Sequence, residues 1–128
     1  MYNFRTDLAS ERREIYQKAN DVKGEIDGIT SEVEDITDKI KVEKVKIINE
    51  NGEKAIGKPI GTYTTIDVKN LKIIQEEELQ QAADSVTKEL KEMLNEHIDS
   101  QGEVLVVGLG NIYVTPDSLG PKVINEIE

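Results

Sequence analysis

Asp117 lies downstream of two closely spaced glycines, Gly108 and Gly110, in the run VLVVGLGNIYVTPDSLGP at residues 104–121. A carboxylate beside a glycine turn can take or give a proton next to backbone amides that approach a ligand closely. The amides around Gly108, Gly110 and Asn111 are placed to hold a developing oxyanion. A plainer reading also stands: the glycines only make a strand-to-helix turn, and an acid in a helix's first turn complements the macrodipole. A dinucleotide fingerprint is excluded, because its third glycine would fall on Tyr113. His97 is the only histidine, near a helix C-terminus where it interacts with the dipole, and no second metal ligand stands four residues to either side. No metal and no cofactor is expected.

Several elements must position these residues. Val104, Leu105, Val106 and Val107 form a short continuous apolar run, which predicts a fully buried strand of a parallel sheet. Thr115 as N-cap, Pro116 at the first helical position and Asp117 in the first turn predict a following helix, with Leu119, Val123, Ile124 and Ile127 as its apolar positions. Residues 75–98 predict the clearest helix, with Leu79, Ala82, Val86, Leu90, Met93 and Leu94 recurring every three or four residues. Strands are expected over residues 40–49 and 62–68, both rich in β-branched side chains. Ser10 is the expected cap of a first helix ending near Gly24. Residues 25–38 read as a solvated acidic connector, with a short edge strand as the alternative. Asn51-Gly52 is a type I′ turn signal with no partner strand directly after it, and residues 53–61 read as a loop. Residues 1–8 read as an extended arm.

Composition bounds the function. The 128 residues suit one small domain, and with 4% aromatic residues its core must be mostly aliphatic. A net charge of −10 argues against binding nucleic acid or an anionic membrane, since no basic patch is there to neutralise phosphates. No cysteine is present, so neither a disulfide framework nor thiol chemistry is available. No signal-peptide pattern and no membrane-length apolar run appears, and a cytoplasmic setting is expected.

Four separated patches share one resemblance: RTDLA at residues 5–9, GKPIGTYTTID at 57–67, VLVVGLGN at 104–111 and VTPDSLGPKV at 114–123. Together, in this order, they resemble germination protease, the endopeptidase that degrades small acid-soluble spore proteins during spore germination. Ile112, Tyr113 and Ser118 depart from the family's pattern, without removing a carboxylate or a glycine. The resemblance implies an atypical aspartic-type endopeptidase of the spore core, in the cytoplasm. It implies a three-layer α/β fold with a mixed sheet, similar to that of hydrogenase-maturation proteases. Asp117 is then one of two catalytic carboxylates, and the second lies further along the family's chain than Glu128. The expected organisation is an arm at residues 1–9 carrying a propeptide, followed by residues 10–128 as the N-terminal part of one peptidase domain, inactive alone. Thr6-Asp7-Leu8-Ala9 is similar to the family's cleavage motifs, which implies autoprocessing of a zymogen between Asp7 and Leu8. Small acid-soluble spore proteins would be the partners, with a homo-oligomer at full length. Two other classes remain beside this one: a metal-binding relative with Asp117 as ligand, and a non-catalytic acidic interaction module.

Overall fold

The computed structural model describes residues 5–127. The chain divides into two units, Met1–Met93 and Leu94–Glu128. The first is built on a three-stranded antiparallel sheet in the order β1 (Ile29–Asp35), β2 (Ile40–Ile47) and β3 (Gly61–Val68). In β2, IKVEKVKI, the apolar residues change face. Ile40 and Val42 point to one side and Val45 and Ile47 to the other, because two polar residues rather than one separate the pairs. All four are buried. A strand that is apolar on both sides must be covered on both.

On one face, Val45, Ile47 and Ile29 pack with Ile26, with Ala9 of α1 (Ala9–Asn20), and with Ala55 and Ile56 of α2 (Glu50–Ile56). Tyr16, Val22 and Tyr63 close the edges of this cluster. Register sets the match: Val45 lies opposite Ser31 and Tyr63, and Ile47 opposite Ile29 and Gly61. The other face takes α3 (Glu76–His97), through ion pairs as much as apolar contact. Lys39 Nζ is 2.6 Å from Glu78 Oε1, and Lys44 Nζ is 2.9 Å from Glu89 and 2.8 Å from Glu92. Lys88 Nζ lies 3.0 Å from Glu34. Helices thus cover both sides of the sheet.

Several sequence expectations change here. The sheet is antiparallel among the described residues, not mixed. Residues 25–38 contribute an edge strand, β1, rather than a connector. Asn51-Gly52 makes no hairpin. It opens α2, where the Asn49 side chain accepts from the Asn51 and Gly52 amides at 2.9 and 3.2 Å, the commonest way to satisfy a helix N-terminus. The first helix starts at Ala9 with Leu8 at its N-cap position. Ser10 is buried inside it, and Asp21, with positive φ, closes it short of Gly24. In α3 the stripe facing the sheet is Glu78, Ala82, Ser85, Glu89 and Glu92, while Leu79, Val86 and Leu90 are exposed. Periodicity reports that a helix has two faces, and here the lysines of the sheet select the acidic one.

The largest correction lies in the second unit. Residues 104–107 form no strand, and Leu105 is 88% exposed. A strand requires a neighbour to take its amides and carbonyls, and among the described residues this run joins no ladder.

Candidate functional site

The glycine run and the acid that follows it are built against each other. Gly110 has φ +140°, where an L side chain is strained, and a Cβ there would overlap the Asp117 carbonyl. A Cβ at Gly108 would strike the Gly120 carbonyl and the Ile124 side chain, and one at Gly120 would strike the Leu109 backbone. Residues 108–110 and 117–120 therefore pack backbone to backbone, and three glycines make that approach possible. Sequence reasoning singled out Gly108 and Gly110 but gave Gly120 no role. Its signal was the LGP that closes the motif.

Hydrogen bonds fix the chain between them. Asn111 N donates to Asp117 O at 2.8 Å, tying the two ends of the loop. The Asn111 side chain accepts from Tyr113 N at 3.0 Å, and Val114 N donates to Asn111 O at 3.1 Å. Such side-chain-to-backbone bonds are what asparagine supplies in turns. Thr115, Pro116 and Asp117 form one 3₁₀ turn rather than the start of the long helix, and α4 (Leu119–Glu126) begins two residues after Asp117. Asp117 N donates to Val114 O at 2.8 Å. Ser118 is buried, its hydroxyl donating to Thr115 O at 3.0 Å. Ser118 thus locks the turn that carries the acid.

Asp117 projects from this turn exposed, and its carboxylate makes no hydrogen bond or ion pair among the described residues. It is the single acid between Glu103 and Glu126. A groove of about 650 Å³ is lined by Val106, Gly108, Gly110, Asn111, Pro121 and Ile124 among others, with Asp117 outside its lining. The Gly108 and Gly110 amides enter no backbone hydrogen bond among the described residues, whereas the Asn111 amide is committed to Asp117 O. The site thus combines an exposed carboxylate with two amides free of backbone bonds, on segments whose backbones pack together.

The sequence model of the germination protease family matches residues 6–128. The chain belongs to the germination protease family. The germination protease of Clostridium perfringens is 44% identical over 127 residues, covering 99% of this chain and 38% of its own length. That of Clostridium tetani is 42% identical, over 96% of this chain and 36% of the relative. That of Oceanobacillus iheyensis is 38% identical, over 98% and 35%. The chain thus spans little more than a third of the curated germination proteases it matches.

Of the other residues of interest in this family member, Asp7 and Leu8 lie in the first unit and His97 in the second. Asp7 and Leu8 directly precede α1, Asp7 fully exposed and Leu8 at the N-cap position. Thr6 Oγ1 accepts from Leu8 N at 3.2 Å. The arm was expected from residue 1; its first four residues lie outside the described ones. His97 ends α3, and among the described residues no group of three or more His, Asp or Glu side chains is gathered as a metal site would need. No described helix is long and apolar enough to cross a membrane.

Proposed function

We propose that this chain is the N-terminal part of a spore-core endopeptidase that degrades small acid-soluble spore proteins during germination by an atypical aspartic-type mechanism. Asp117 supplies one of its two catalytic carboxylates. The observation that carries the reading is the backbone-to-backbone packing of residues 108–110 on residues 117–120, which brings the segment bearing Asp117 against the one bearing the Gly108 and Gly110 amides. Two carboxylates close together cannot both ionise easily, so one keeps its proton as the acid. Its partner takes a proton from the water that attacks the peptide carbonyl. The Gly108 and Gly110 N–H groups receive the oxyanion, and Asn111 holds the turn in shape. The second carboxylate belongs to the part of the enzyme beyond these residues, where the run at residues 104–107 also finds its sheet, in a fold similar to that of hydrogenase-maturation proteases. Alone, the 128 residues lack the acid–base division and do not turn over. The full-length enzyme is a homo-oligomeric zymogen that cuts its own arm between Asp7 and Leu8.

Intact-mass spectrometry with a peptide containing Thr-Glu-Phe-Ala tests this. The 128-residue chain is expected to leave the peptide uncut, and a full-length family enzyme carrying these residues to cut it after Glu. Asp117→Asn in that enzyme is expected to lower the rate by at least about a thousandfold, in the range for losing a catalytic group that acts with a partner. Cutting by the 128-residue chain would overturn the division of the carboxylates, and an active Asp117→Asn enzyme would overturn the role of Asp117.

A further inference from the structure

Arg12 joins the arm to the body of the first unit. Its Nε donates to Thr6 O at 2.6 Å, and one terminal nitrogen donates to Gly57 O at 2.8 Å and Ile56 O at 3.3 Å. The other lies 3.4 Å from the Asp7 carboxylate. Ile56 and Gly57 are the C-terminal end of α2, where carbonyls lack helical donors and the dipole is negative, so a guanidinium is well placed there. The planar fork of arginine reaches these acceptors from three separate nitrogens in fixed directions, where a lysine offers a single nitrogen. Arg12 itself is the fourth residue of α1, and its amide bonds Leu8 O at 3.1 Å. The residues just after the Asp7–Leu8 bond, Ala9 and Ser10, are helical and buried.

Peptidases take their substrates as extended strands. Binding the Asp7–Leu8 bond in that form requires Thr6 to leave Arg12, and Ala9 and Ser10 to leave both the helix and the core. We propose that Arg12 is a latch on the Asp7–Leu8 bond, holding the uncut arm against α2 so that hydrolysis waits for its release. In the hydrolysis, water adds across the amide, the C–N bond breaks, Asp7 departs with a new α-carboxylate and the Leu8 nitrogen leaves as an ammonium. That ammonium then stands at the positive end of α1, a few residues from the Arg12 guanidinium. Repulsion by both charges loosens the first turn of α1 in the cut chain. The relevance of this latch to the enzyme rests on the proposed processing between Asp7 and Leu8; the latch itself does not.

The test uses the 128-residue chain with an added endopeptidase that cuts after acidic residues, following by mass the product that starts at Leu8. Arg12→Ala is expected to release it about tenfold faster, as opening of the first turn becomes easier. Arg12→Lys, which keeps the charge without the fork, is expected to fall between it and the unaltered chain. Ile40→Val, a core change outside the cluster that holds Ala9, is expected to leave the rate near the starting value. An unchanged rate in a folded Arg12→Ala chain overturns the latch, as does an equal acceleration by Ile40→Val. If Arg12→Ala does not fold, an unchanged rate in Arg12→Lys overturns it. Offering the same chain to an active full-length family enzyme separates the two ideas, for an uncut Asp7–Leu8 bond there defeats the processing reading alone.

Discussion

Gly120 shows at the residue scale how little of a site can be visible before folding. Asp117, Gly108 and Gly110 could be picked out from residue type and spacing, because glycine pairs and an acid near a turn are rare enough to notice. Gly120 becomes necessary only when residues 117–120 come against Leu109, a contact that no local pattern encodes. Adding one methyl group there forces the two backbones apart, at a cost of about 1–3 kcal/mol for overpacking. Gly120→Ala is therefore expected to lower hydrogen-exchange protection of the Asn111 amide, whose acceptor is Asp117 O, by about tenfold or more. The amides of β2, in the other unit, are expected to keep theirs.

At the scale of elements, α3 was legible as a helix and illegible in its orientation. Its hydrophobic spacing pointed to Leu79, Val86 and Leu90, yet Lys39 and Lys44 draw the acidic stripe onto the sheet. Hydrogen bonds from Lys39 and Lys44 hold the Glu78 and Glu92 carboxyls below their ordinary value of 4.5. Hydrogen bonds to Glu78, Glu92 and Glu34 likewise raise Lys39, Lys44 and Lys88 above 10.5. For the acids, the stabilisation is complete above 4.5 and is lost as pH falls through their lowered values. For the lysines it is complete below 10.5 and is lost as pH rises through their raised values. The urea midpoint of the chain is expected to stay flat between these limits and to fall on both sides. Added salt is expected to reduce the plateau only slightly, because Lys44 and Glu89 are largely shielded from solvent. A midpoint that rises on acidification below 4.5 would contradict this docking of α3.

For the whole molecule, the α/β class could be read from the alternation of strand and helix patterns, but the sheet's direction could not. The expectation of a parallel sheet leaned on residues 104–107, which look like a buried strand whatever surrounds them. Antiparallel pairing comes instead from the short link at residues 36–39 between β1 and β2, and from the return of the chain through α2 at residues 48–60, which lays β3 antiparallel on β2. The two-sided character of the sheet rests on very little: the pair Glu43-Lys44 between the apolar halves of β2. Deleting one of these two residues would bring Ile40, Val42 and the former Val45 and Ile47 onto a single side and leave only charge on the other. That shortened chain is expected to keep α1 and α2 packed and to release α3, seen as loss of helical circular dichroism and early proteolysis within residues 76–97. The number of layers in this part of the protein is thus set by whether an even or an odd number of residues separates two valines.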